Sequence, residues 1–344
     1  MEIEGGTILS EPERPEVVVI TGASAGNGRA IVRAFAKRGA HIGLLARGHA
    51  GLEGARRDVE TLGGKALAIP TDVSDPAQVE AAAGQVEETF GPIDIWVNDA
   101  MTSVFSPAKD MTPQDYQRVT EVVYLGYVYG TLAALKRMMP RDRGRIIQVG
   151  SDVAYRGIPL QTAYSGAKHA IQGFTEALRC ELIHYNSHVK ISMVQLPGCN
   201  TPQFSWCKSN LPCFPQPVPP IYDPDVVAEA VTYIADHYRR ELFVSWMSII
   251  VIQLNKIFPA FADWYLGKTG FASQMTDKPT SPHRPDNLYH PVDEERDYGA
   301  RGVFTDRAYS RSFQVWLVTH PGVLALAATA LIGLLGFALV RRRQ

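Results

Sequence analysis

Residues 151–168 read SDVAYRGIPLQTAYSGAK, which places Ser151 thirteen positions ahead of Tyr164 and Lys168 four positions after it. If residues 162 onward are helical, Tyr164 and Lys168 share one face a turn apart, and an ammonium lies beside a phenol. A phenol with an ordinary pKa of about 10 transfers protons poorly at neutral pH, and a neighbouring cation favours its ionised form. A tyrosine tuned in this way can pass a proton to or from a substrate oxygen. Ser151 follows the β-rich run RIIQVG, so its hydroxyl stands at the carboxyl end of a strand, where open α/β sheets keep their ligands. From there it could hold a carbonyl. The bare Tyr-x-x-x-Lys pattern also occurs as a plain surface pair on many helices, so the surrounding elements must decide its meaning.

Those elements begin with residues 16–20, EVVVI, a β-branched run suited to a strand buried on both faces. TGASAGNGRA follows directly, and residues 30–38 then have helical spacing. Glycines between a strand and a helix permit a tight turn and close backbone approach to a pyrophosphate at the helix N-terminus. Thr21, Gly22, Ser24, Gly26, Asn27 and Gly28 are thus the candidate dinucleotide turn. The second strand, residues 41–46, ends at Ala46 and is followed by Arg47. An acidic residue here would bond the adenosine ribose hydroxyls, whereas an arginine suits a 2′-phosphate, so NADP is expected in preference to NAD.

Helices over residues 50–62, 76–90, 111–139, 162–185 and 225–237 alternate with strands over residues 65–70, 93–97, 145–149, 189–196 and 242–246. This alternation predicts an α/β fold with a doubly wound, Rossmann-type parallel sheet of about seven strands. The long third helix opens with Thr112 as N-cap and Pro113 at its first position. Asp72 and Val73 follow the third strand, where a carboxylate could accept a bond from an adenine amino group; Asn98 closes the fourth, and Pro197 and Gly198 end the sixth. Residues 201–224, rich in proline and aromatics, lie beyond that strand end, where a substrate-covering loop belongs. With 344 residues, 46% of them hydrophobic, the chain can bury a large core; a net charge of −1 and no basic block exclude a nucleic-acid binder. Four cysteines without a Cys-x-x-Cys pair read as free thiols, and no metal site is expected.

With these residues in this order, the chain resembles the short-chain dehydrogenase/reductase family over residues 16–246. The resemblance implies that Ser151 polarises a carbonyl, that Tyr164 donates or accepts the proton, and that Lys168 lowers the Tyr164 pKa and holds the nicotinamide ribose. It implies that Gly22, Gly26 and Gly28 line the cofactor turn, that Asp72 and Asn98 flank adenosine and the ribose, that Thr201 is a cofactor ligand, and that the protein forms a homo-oligomer. Three departures from the family pattern stand out. Asn98-Asp99-Ala100-Met101 replaces an Asn-Asn-Ala-Gly, Tyr124 stands where many members carry an asparagine that supports a proton relay, and Thr201 is one residue closer to Pro197 than usual.

Beyond residue 246 the resemblance ends. Residues 247–275 read as an aromatic helical extension packed on the main domain or on a membrane surface, 276–320 as an extended, partly disordered linker, and 1–15 as a loose tail. Residues 323–340 carry no charge and precede Arg341, Arg342 and Arg343, which predicts a membrane-spanning helix within an anchor at residues 321–344. The expected protein is a membrane-anchored, NADP-dependent oxidoreductase that interconverts a lipophilic carbonyl and a secondary alcohol, its catalytic domain facing the cytoplasm. The positive-inside tendency runs against that orientation, but a four-residue tail is cheap to translocate. The alternative is a dinucleotide-binding scaffold or sensor with degenerate catalysis, consistent with the three departures.

Overall fold

The computed structural model describes residues 14–281 and 283–323. The candidate membrane span therefore lies outside the described residues, save Val323; among the described residues no helix is long and apolar enough to cross a membrane. Seven parallel strands form one sheet: β1 (Val17–Thr21), β2 (His41–Ala46), β3 (Lys65–Pro70), β4 (Ile95–Asn98), β5 (Arg145–Val149), β6 (Lys190–Gln195) and β7 (Glu241–Phe243), in the spatial order β7-β6-β5-β4-β1-β2-β3. The order reverses at β1, beside which β4 lies, and that switch point is where open sheets bind ligands.

Period-two alternation explains why β1 is buried throughout. Val18 and Ile20 face one core layer with α1 (Gly26–Ala36), α2 (His49–Thr61) and α8 (Pro224–Asp236). Val17 and Val19 face the other, with α3 (Pro76–Phe90), α5 (Gly126–Met138) and the far end of α6 (Thr162–His184). Asp75 caps α3 by accepting the Ala77 and Gln78 N–H groups, and Thr112 with Asp115 forms a capping box at α4 (Pro113–Val119). The expected helix over residues 111–139 runs from α4 to α5 through a π-helical stretch, Thr120–Leu125. Such looser windings shift the register of whatever follows.

The C-terminal third departs from the sequence-based reading in three places. The last strand ends at Phe243, because Ser245 caps a helix, α9 (Trp246–Ile257), by accepting the Met247 N–H. The aromatic extension is broken by Pro259 into α9 and α10 (Pro259–Thr269), since proline cannot continue a helix that precedes it. The expected linker is instead a strap packed along the sheet edge. Its start, Met275–Pro279, pairs antiparallel with Cys213–Pro215. Leu288 is fully buried, and Ala300 and Phe304 are buried. Polar composition resembled disorder, but its charged and backbone groups find partners on the main domain: Arg29 holds Asp297 at 3.1 Å, and Asp223 holds Arg301 at 2.7 Å. The short α7 (Gln203–Trp206) lies in the Pro-rich loop, and α11 (Phe313–Thr319) follows the strap.

Candidate active site

β5 delivers Ser151 to the sheet's carboxyl edge, and α6 presents Tyr164 and Lys168 across from it. Hydrogen bonding to Ser151 pulls the Tyr164 pKa down, but burial is the larger influence and raises it well above the usual phenol value. Lys168, 2% exposed, donates through Nζ to the Val149 carbonyl at 2.7 Å and to Tyr127 Oη at 3.1 Å. Its Nζ lies 5.6 Å from the Tyr164 ring centroid and 4.7 Å from that of Tyr127. Lys168 thus stands one helical turn from Tyr164, while its hydrogen bonds go to Val149 and Tyr127. Burial lowers the Lys168 pKa, opposed by the nearby Asp99 carboxylate.

Tyr127 gave no sequence signal of its own. After the π-helical stretch it points into the sheet, 1% exposed, its hydroxyl donating to Val149 O at 2.9 Å. Tyr124, flagged at the relay position, is half-buried and packs against Val104, Val119 and their neighbours. Asn98 is also displaced from its expected role. It is fully buried, with its amide bonded to Gln148 at 2.9 Å, Thr131 at 3.2 Å and the Trp96 indole at 2.8 Å, and so belongs to the core and not to the cofactor wall. The wall is made by Asp99, whose carboxyl is raised by burial, then drawn back by Lys168 and by the Gly28 N–H.

The glycine turn is laid out as expected. Gly22 and Gly26 have φ of 72° and 60°, a left-handed region that only glycine enters cheaply. A Cβ on Gly28 would stand 2.2 Å from Gly22 O, and one on Gly22 would stand 2.9 Å from Ala100 Cα. Thr21 Oγ1 fixes the facing loop by accepting the Asp99 and Ala100 N–H groups at 3.0 and 3.1 Å. Asn27 Oδ1 is buried without a hydrogen-bond partner on the wall of the cleft. A closely approachable backbone and an orphaned polar atom fit a dinucleotide phosphate at the start of α1.

Farther along the same edge, Asp72 and Val73 line the cleft. Burial pushes the Asp72 carboxyl up, but bonds from Arg118 at 2.6 Å and Ser74 at 2.8 Å outweigh it and hold the group below the usual range. Three donors, the Ser74 N–H and hydroxyl and the Arg118 guanidinium, thus reach its oxygens, which leaves one acceptor direction open. Arg47 likewise donates its two terminal nitrogens to the Asn287 and Tyr289 carbonyls of the strap.

The candidate site residues except Thr21, Gly28 and Asn98 open onto one cavity of about 760 Å³, as do Tyr127, Asp99 and Arg47; Tyr124 does not line it. Pro197, Gly198, Cys199 and Thr201 line it after β6; Phe204, Trp206 and Pro217–Pro220 of the Pro-rich loop cover it, as expected. Its far wall is Met247, Val251 and Leu254 of α9 with Phe261, Tyr265 and Leu266 of α10. Sequence reasoning missed Asp152 there. Burial raises its carboxyl to about 7 against a bond from Ser248, and its Oδ1 has no partner.

The short chain dehydrogenase family matches residues 16–210. The chain belongs to that family. An uncharacterized oxidoreductase, YxnA, of Bacillus subtilis is 31% identical over 331 residues, 96% of this chain and 91% of that protein. The 3-dehydrosphinganine reductase of Danio rerio is 38% identical over 193 residues, but the match spans 55% of this chain and 58% of that protein. Among solved structures, an alcohol dehydrogenase of Thermococcus sibiricus complexed with 5-hydroxy-NADP is 28% identical, with a TM-score of 0.59 over 67% of this chain and 96% of that one. An actinorhodin polyketide ketoreductase with NADPH is 27% identical, with a TM-score of 0.58 over 64% of this chain and 90% of that one. This short chain dehydrogenase is an NAD(P)-dependent oxidoreductase acting on the CH–OH/C=O pair.

Proposed function

We propose that this protein interconverts a lipophilic ketone and its secondary alcohol with NADP(H), Tyr164 serving as acid and base. The observation that carries the reading is the continuity of the cavity from the glycine turn, past Ser151 and Tyr164, to a wall of apolar α9 and α10 side chains. The nicotinamide, when bound, supplies or takes the hydride. Ser151 Oγ binds the substrate oxygen, and Tyr164, close to Ser151, gives that oxygen its proton in reduction and takes it back in oxidation. Lys168, anchored on Val149 and Tyr127, presents the positive charge that steadies the phenolate and the cofactor ribose. Thr201, Gly198 and Pro197 border the nicotinamide end, and Thr21, Gly22, Ser24, Gly26, Asn27 and Gly28 the phosphates. NADP is supported by the cofactors in the solved relatives and by Arg47 at the end of β2. A long-chain substrate is supported by the sphingoid and ketoacyl reductases among the relatives.

At the cavity mouth and beyond it, α9 and α10 leave Trp246, Ile250, Leu254, Phe258, Phe261 and Trp264 between 42% and 60% exposed. An apolar patch of this kind beside a cavity mouth fits attachment to a membrane. We place the catalytic domain at the cytoplasmic face, held also by the span expected at residues 323–340. The deciding experiment screens detergent-solubilised protein for NADPH consumption on ketones of increasing chain length. We expect kcat/KM to rise with length. Turnover restricted to short polar carbonyls would overturn the substrate reading, and tight NADPH binding without turnover of any carbonyl would favour the scaffold.

A further inference from the structure

The adenosine end of the cavity is closed by residues far away in sequence. Gly48, Gly51 and Gly54 recur every third residue at the start of α2. Glycine is a poor helix former and normally has a packing reason there. A Cβ on Gly48 or Gly51 would stand 2.0 or 2.3 Å from an Asp293 carboxylate oxygen, and one on Gly54 would stand 2.0 Å from an Asp297 oxygen. The glycine face is the seat of the strap.

The strap also takes the donors of this edge. α2 has no side-chain cap, and its first three N–H groups go to the Glu294 carboxylate at 3.2 Å, the Glu294 carbonyl at 3.1 Å and the Asp293 carbonyl at 3.1 Å. Both terminal nitrogens of Arg47 go to strap carbonyls. An arriving phosphate would find the helix N-terminus filled and Arg47 engaged. It would also meet the carboxylate of Asp293, a residue 8% exposed that stands with Ser24 and Arg47 on the cavity wall. A carboxylate accepts hydroxyl donors and repels a phosphate dianion. The acid expected at the end of β2 for a ribose, and absent there, is supplied by the strap.

We propose that Asp293 is a specificity-determining residue of the cofactor site: its carboxylate accepts the adenosine ribose hydroxyls and penalises a 2′-phosphate. Discrimination between NADP(H) and NAD(H) is then a balance of Asp293 against Arg47, which refines the cofactor reading given above and rests on it. Dissociation constants of the full-length, detergent-solubilised protein test it, taken from nicotinamide fluorescence for NADPH and NADH and from calorimetry for adenosine 2′,5′-bisphosphate and 5′-AMP. Asp293→Asn and Asp293→Ala should tighten NADPH and the bisphosphate about tenfold, the scale of relieving a like-charge contact. NADH and 5′-AMP should stay the same or weaken by up to about threefold. Glu294→Gln removes a charge one residue away, on exposed His49, and should leave the ratio within about twofold. An unchanged NADPH/NADH ratio in both Asp293 variants overturns the proposal, as does an equal change from Glu294→Gln. Loss of the folded state in both, read by melting, would make Asp293 a structural clamp and overturn it too. Wild-type protein that prefers NADH would instead overturn the NADP reading, and the variant ratios would still judge Asp293.

Discussion

The two ends of the cavity treat buried charge in opposite ways. At the catalytic end, Asp152 keeps an oxygen without a partner, and Asp99 and Lys168 each depart from their usual pKa through burial, with only one another as charged neighbours. At the other end most acids are matched, Asp72 with Arg118, Asp297 with Arg29, and Asp58 with Arg29 and Arg33, while Asp293 makes no ion pair among the described residues. Uncompensated groups cost stability and are found where protons move, whereas matched pairs hold a distant segment in place. The comparison separates the part of the cleft built for chemistry from the part built for recognition.

The sharpest way to break that comparison is to remove the proton donor. Tyr164→Phe should lower turnover by about 10² or more while NADPH binding stays within a few-fold. Tyr127→Phe, which takes one partner from Lys168, should cost less, about tenfold, with Val149 O still holding the ammonium. Steady-state rates and cofactor titrations decide it. If Tyr127→Phe proved the more damaging, the proton donor would be misassigned.

A second effect tests whether the catalytic end does carry uncompensated charge. Asp152 has its carboxyl raised from 3.8 to about 7. A raised folded-state pKa means that the contribution of this group to stability is complete below about pH 4 and is lost as pH rises through 7. Asp152→Asn, which never ionises, should therefore match the wild type near pH 4 and exceed it by up to about 4 kcal/mol at pH 8. Melting curves across that range report it. A pH-independent offset would show that Asp152 is as well matched as Asp58 and Asp72.

The smallest expected change concerns the strap's seat. In an isolated helix Gly51→Ala would gain roughly 1 kcal/mol, but here the new Cβ meets the Asp293 carboxylate 2.3 Å away. Overpacking of this kind costs about 1 to 3 kcal/mol, so the net change should be a loss of about 1 kcal/mol, read by chemical denaturation. A gain in stability would mean that the strap does not need the glycine face.

The sheet was legible because its signals are local. β2, β3 and β5 fall on the bounds expected for them, and α3 fits its expected bounds from Pro76 to Phe90. The glycine turn, Ser151, Tyr164 and Lys168 come together as their spacing implied. Misreadings arose where one position decides which side of a strand end faces the cleft: Asn98 turned into the core, and Asp99 took the wall. The strap was misread for a different reason. Its acids and prolines carry no periodicity, and its partners, Gly48, Gly51, Gly54, Arg29 and Arg47, lie in the first sixth of the chain.

By itself the sequence determined the order of strands and helices, the dinucleotide turn and the helical face that joins Tyr164 to Lys168, since each follows from periods of two or 3.6 residues within one short segment. Tertiary structure alone decided that Lys168 bonds to Tyr127, that Arg47 spends its donors on strap carbonyls, and that Asp293 joins Ser24 and Arg47 on the cavity wall. The partners so chosen lie up to 242 positions apart, as Arg47 and Tyr289 do. They depend on which surfaces meet after the chain closes, a relation that no local pattern encodes.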